Sequence, residues 1–112
     1  MEKFGDLKKD DVLFMYDYKL DTSYEGRVED MLDNSLFHDG WKSVVVEVIK
    51  DGNHVATVED EEPMDETVNG ASFLDYTLYT TKDAMIESII TMLKKRIDIC
   101  SEKIEKWQKL IT

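Results

Sequence analysis

From Thr81 to Ile111 the chain contains neither glycine nor proline, and apolar side chains recur at Ile86, Ile90, Leu93, Ile97, Cys100, Ile104, Trp107 and Ile111. The steps between them alternate four and three, a heptad seam with isoleucine at every a position and Ile86, Leu93, Cys100 and Trp107 at d. Thr80 and Asp83 stand at capping-box spacing before it, so the spacing predicts one helix over 82–111. Its length constrains everything else. About 30 residues at 1.5 Å each make a rod of roughly 45 Å, whereas a folded body of about 80 residues is roughly 30 Å across. Some 15 Å of helix should then overhang the body by this geometry, leaving Ile104, Trp107 and Ile111 bare unless another chain covers them. Met85, Ile89, Met92 and Ile99 add apolar groups off the seam, so the first half can face its own sheet and a partner together. A homo-oligomer is therefore expected, with a helix–helix dimer the simplest form, although Trp107 is bulky for a regular two-stranded coil. The alternative is a helix that bends back and packs wholly on its own body.

The preceding residues carry a different signature. Residues 1–80 hold 20 acidic and 7 basic side chains, giving −13, while residues 81–112 hold 5 and 7, giving +2, in keeping with the whole-chain charge of −11. An acidic body on a mildly basic helix disfavours direct nucleic-acid binding, which needs Lys and Arg to neutralise phosphates. At 112 residues and 42% hydrophobic content the chain is expected to be one globular domain. No apolar run approaches the roughly 18 residues of a membrane span, so no membrane partner is expected. The start, MEKFGDLKKDD, lacks the apolar stretch of a signal peptide. A single cysteine allows no internal disulfide, and a reducing cytoplasm is the expectation.

Within the acidic part, Val12–Tyr16, Tyr24–Glu29, Val44–Ile49 and Phe73–Tyr79 read as strands by composition or period-two alternation. Asp51-Gly52 is a hairpin turn, because a type I′ turn needs positive φ at both central residues. That turn predicts Lys50 opposite Asn53, Ile49 opposite His54, Val48 opposite Val55, Glu47 opposite Ala56, Val46 opposite Thr57 and Val45 opposite Val58. Both faces of the hairpin carry apolar groups, so cover on both sides is expected. The fold class is α+β: a small antiparallel sheet or partly open barrel over 1–80, followed by one long C-terminal helix.

Six carboxylates, Glu59, Asp60, Glu61, Glu62, Asp65 and Glu66, crowd around the only proline, Pro63. They read either as a solvated loop between strands or as a contact surface for a basic partner. Acidic groups crowded on a small domain repel one another, and a chain that tolerates this can use the field to steer association.

Catalytic chemistry has little to stand on. Cys100 lies at a core-type seam position, where a buried thiol is an inert small hydrophobe, and the two histidines, His38 and His54, read as turn and hairpin residues. No Cys/His spacing suits zinc, the carboxylate cluster lacks the EF-hand pattern, and no glycine-rich phosphate loop is present. No enzyme activity, metal or cofactor is expected.

The succession GDLKKDDVLFMYDY, YEGRV, VVVEVIKDGNHVATV and LYTTKDAMIESIITMLKKRI resembles small proteins of phages and mobile elements that place an SH3-like barrel before a C-terminal helix. The chain departs from that pattern in its acidity and in an insertion from Asp30 to Trp41. The resemblance implies a cytoplasmic accessory role in countering a host defence and carries over no functional residue. Three expectations follow. In the first, a self-associating, non-enzymatic protein uses its acidic surface to occupy and inhibit the basic surface of a nucleic-acid-handling protein. In the second, an oligomer holds an anionic ligand such as a nucleotide signal with Lys94, Lys95 and Arg96. In the third, the chain is a structural component whose helix docks on a different protein.

Overall fold

The computed structural model of the chain describes residues 3–33 and 39–111. Among these, strands β1 (Val12–Asp17), β2 (Thr22–Asp33), β3 (Trp41–Lys50), β4 (Asn53–Pro63), β5 (Ser72–Phe73) and β6 (Tyr76–Tyr79) form one antiparallel sheet. Their order is β4-β3-β2-β1-β6-β5, a curled half-barrel, and helix α1 (Lys82–Gln108) follows it. The expected α+β class, a partly open barrel and one C-terminal helix, is what the chain forms.

The concave face is built by alternation. Leu13 and Met15 of β1, Val28 of β2, and Val44, Val46 and Val48 of β3 turn into one cluster closed by Phe73 and Leu78. Gly26 sits among them because a Cβ there would come within 2.7 Å of Met15 Sδ and 2.9 Å of Val46 Cγ1. The open end is plugged from the N-terminus. Phe4, fully buried, is held by backbone hydrogen bonds from its N–H to Glu66 O (3.0 Å) and from Gly5 N–H to Met64 O (2.9 Å).

Local chemistry sets the turns. Asp17 Oδ1 accepts from the Lys19 and Leu20 amides at 3.0 and 3.2 Å and so closes the β1–β2 turn. Asp51 and Gly52 take φ of +52° and +79°, the left-handed pair that an I′ hairpin needs. Lys50↔Asn53 and Ile49↔His54 pair as expected.

Beyond that the register departs by one residue. A bulge between Val48 and Ile49 leaves Val55 as the extra residue, so Val48 faces Ala56, Glu47 faces Thr57, Val46 faces Val58 and Val45 faces Glu59. The slip puts Val58 against the core and Val55 in solvent. Two further expectations are corrected. The 73–79 run is a tight hairpin rather than one strand, because Leu74 takes φ +57° and turns Phe73 back onto Tyr76. The helix runs from a cap at Thr81, whose hydroxyl accepts from the Ala84 amide at 3.1 Å while Thr80 bonds to Asn69 instead, to Gln108, three residues short of the expected Ile111, with Lys109–Ile111 in a closing turn.

The helix packs on the convex side of the sheet. Tyr16 and Tyr79 enclose Met85, with Phe14, Ala84, Ile89 and Met92 against them, in a second cluster separate from the concave core. Tyr79 Oη and Ser88 Oγ lie 2.9 Å apart and fasten the first turns. Cover on the second face therefore falls on β1 and β6, not on the β3–β4 hairpin as its two-sided apolar pattern suggested.

Candidate interaction surfaces

Two surfaces stand out, one charged and one apolar. The charged one begins on β4, the edge strand of the sheet. The residues read as a loop from Glu59 onward are strand as far as Pro63, and only Asp65 and Glu66 lie in the turn beyond. A proline is tolerated there because an edge strand need not donate on its outer side. Strand geometry sorts the carboxylates. Glu59 and Glu61 are exposed on one face, while Asp60 and Glu62 fall on the other, with Asp60 opposite Val44 and Glu62 opposite Lys42 in the ladder. Exposed charge along an edge also keeps it from pairing with another sheet.

Glu62 is the exception in this row. It keeps only 5% of its surface exposed, and burial pushes its carboxyl up to about 8, reinforced by the nearby charges of Asp60 and Glu66 and by hydrogen bonds with both. At neutral pH this favours the protonated carboxyl in a small acidic knot. Nothing in sequence distinguishes it from its five neighbours. The knot is not arranged as a cation site: among the described residues no three His, Cys, Asp or Glu side chains converge as metal ligands.

The convex face of the hairpin carries a different arrangement. Arg27 reaches Asp10 at 2.9 Å and Glu47 at 3.2 Å, and His54 Nδ1 lies 3.0 Å from Glu47 Oε2. The His54 bond first, and then Arg27, hold the Glu47 carboxyl below its usual range against the opposing effect of burial. His54 is thus a hairpin residue, as expected, with a charged partner that its sequence neighbours did not suggest. His38 lies outside the described residues.

The apolar surface is the seam. Met85 alone is buried among the described helix residues. Ile86, Ile90, Leu93 and Ile97 stay exposed although the same turns press Met85, Ile89 and Met92 onto the sheet. The two-faced first half predicted from the sequence is present. Farther on nothing covers the stripe: Ile104 is 57% exposed, Trp107 64% and Ile111 84%. The molecule measures 63 × 34 × 22 Å, its long dimension far beyond what a sheet of this size spans. The helix does not fold back. Cys100 is exposed in the same stripe and lines a shallow groove with Leu93, Arg96, Ile97 and Ile104.

The three basic residues considered as an anion site are consecutive and all exposed on the helix, and Arg96 borders the apolar groove, close enough to Tyr16 for its charge to act on that hydroxyl. A cavity of about 300 Å³ does open elsewhere, between the β3–β4 turn and the start of α1, lined by Phe14, Tyr24, Ile49, Lys50, Lys82 and Met85. Its Lys50 ammonium already donates to Ser23 O at 2.8 Å and lies over the Tyr24 ring. Glu25 and Asp51 at its rim make its charge mixed.

No helix among the described residues is long and apolar enough to cross a membrane. Comparison with protein-family models, with curated proteins and with solved structures finds no match to this chain.

Proposed function

We propose that the protein is a non-enzymatic interaction protein. It self-associates through α1 and presents the acidic edge formed by Glu59, Glu61, Asp65 and Glu66 to a positively charged surface on a nucleic-acid-handling protein, which it occupies in place of phosphate. The observation that carries this reading is the contrast between a sealed sheet and an uncovered helix. The sheet closes a core of its own, with Leu13, Met15, Val28, Val44, Val46, Val48, Phe73 and Leu78 buried and only scattered apolar residues such as Val12 and Val55 exposed, yet the seam from Ile86 to Ile111 stands as a continuous stripe in water beside a body of charge −13. Burying an exposed Ile, Leu or Trp contributes on the order of 1.5–3 kcal/mol, so an uninterrupted stripe of this length favours association strongly. The acidic field then raises the encounter rate with a cationic partner and rejects other acidic surfaces. A host-defence protein that grips DNA is the kind of target implied by the likeness to phage accessory proteins.

The test is capture of DNA-handling proteins from a cell extract across a salt series, with duplex DNA as competitor. Retention that weakens with salt, yields to duplex DNA and is lost in a Glu59→Lys/Glu61→Lys variant supports mimicry of phosphate. Retention indifferent to ionic strength and to DNA contradicts it.

A further inference from the structure

The self-association reading leaves open which way two helices run, and the seam itself answers this. We propose that the second copy of this chain lies antiparallel along α1, in the register that sets Ile86 against Ile111′, Ile90 against Trp107′, Leu93 against Ile104′ and Ile97 against Cys100′, primes marking the second copy. The inference rests on the self-association reading and deepens it.

Volume is the first argument. In a parallel pair each layer meets its own copy, so Trp107 would face Trp107 in a layer too narrow for two indoles, and Cys100 would face Cys100 across a void. The antiparallel register pairs the largest side chain with Ile90 and the smallest with Ile97, so no layer is doubly large or doubly small. All eight seam residues find a partner, whereas a shift by one heptad in either direction strands two of them on each chain.

The flanks are the second argument. In an antiparallel pair the g positions meet each other, which brings Leu110′ beside Ile89. Leu110 lies in the turn that continues from the helix past Gln108, its amide bonded to Trp107 O, and is 70% exposed. Ile89 lines a notch of about 140 Å³ between helix and sheet, with Tyr16, Tyr18, Tyr79 and Met92. The tail of one copy therefore ends where the body of the other offers a recess in which Ile89, Met92 and tyrosine rings stand beside the Thr77 and Ser88 hydroxyls. The one unfavourable contact is Arg96 beside Lys103′, between long exposed side chains that can part, and Arg96 already lies near the Tyr16 hydroxyl and its acceptor Asp21.

Charge is the third. The helix meets the sheet through residues 84–92. With the two-fold axis passing between Ile97 and Cys100, the bodies sit roughly 30 Å apart along the helix axis, several screening lengths at physiological salt. A parallel pair holds two bodies of charge −13 at the same level. The antiparallel one separates them and lays beside each body the partner's residues 97–112, whose three acidic and three basic side chains cancel, in place of a second charge of −13.

A spin label on Lys109→Cys in a Cys100→Ser background reads the orientation from outside the seam. The antiparallel register places the two labels about 35 Å apart and a parallel pair about 20 Å or less. Oxidation of an unlabelled Leu93→Cys/Cys100→Ser variant is the second measurement. Its two new thiols lie about 16 Å apart along the axis in the antiparallel register, too far for a disulfide, but are level in a parallel pair. A sedimentation mass is taken on the labelled sample. Dimer mass with a distance near 35 Å and no disulfide supports the proposal. Dimer mass with a short distance and rapid disulfide formation overturns the orientation alone, and monomer mass overturns self-association and the orientation with it.

Discussion

The sheet and the helix of this protein spend comparable numbers of apolar side chains in opposite ways. In the sheet, Leu13, Met15, Val28, Val44, Val46, Val48, Phe73 and Leu78 are buried to the last few per cent. In the helix, Met85 alone among the described residues reaches that state, and Ile86, Ile90, Leu93, Ile97, Ile104 and Trp107 stay in solvent, as does Ile111 just past its end. The difference teaches where folding ends and association begins. A curled sheet closes on itself and needs little more than Phe4 as a plug, whereas a rod longer than its body cannot hide its stripe by any bend short of breaking.

Substitutions should therefore sort by region. The largest effect is expected in the concave core. Phe73→Ala should cost about 3–5 kcal/mol, because the ring is fully enclosed and the cavity left behind cannot collapse against a fixed sheet. Urea unfolding of the variant checks this, and a loss below about 1 kcal/mol would mean that the body is less tightly closed than its burial implies. Gly26→Ala should follow at about 1–3 kcal/mol, since the added methyl meets Met15 and Val46 inside contact distance.

Glu62→Gln sharpens the comparison from the charged side. Its folded carboxyl sits at about 8 against an ordinary value near 4.5, so the folded state holds this proton more tightly than the unfolded chain does. The associated stability is fully present below pH 4.5 and is lost as pH rises through about 8. Glutamine keeps the shape without the charge. The variant should match the parent near pH 4.5 and exceed it by about 1–3 kcal/mol at pH 9, read by thermal melts across that range. A gain of equal size at pH 4.5 would show that the proton plays no part.

Thr81→Ala gives the smallest effect. Loss of the cap bond to Ala84 should cost about 1 kcal/mol. It should fall on helix content and on association together, because the same helix carries both.

Much of this division was legible in the residues. The 4–3 spacing, the absence of breakers from Thr81 to Ile111 and simple length arithmetic placed the exposed stripe, and Asp51-Gly52 placed the hairpin. What escaped was set by the sheet as a whole. The bulge that makes Val55 an extra residue answers the curl of the half-barrel, which no pair of neighbours encodes. The Leu74 turn uses a residue that seldom takes positive φ, so Phe73–Tyr79 read as a single strand. Six carboxylates and a proline read as a loop because those residues disfavour strands in general, yet an edge strand accepts both. The burial of Glu62 follows from that strand assignment and was invisible without it.

The most direct test is the solution mass at micromolar concentration, beside an Ile97→Asp/Ile104→Asp variant whose body folds unchanged by circular dichroism. The account predicts about twice the 13.1 kDa chain mass for the parent and the single-chain mass for the variant. A parent protein that sediments as a 13.1 kDa monomer at tens of micromolar, with its helix intact, would contradict it.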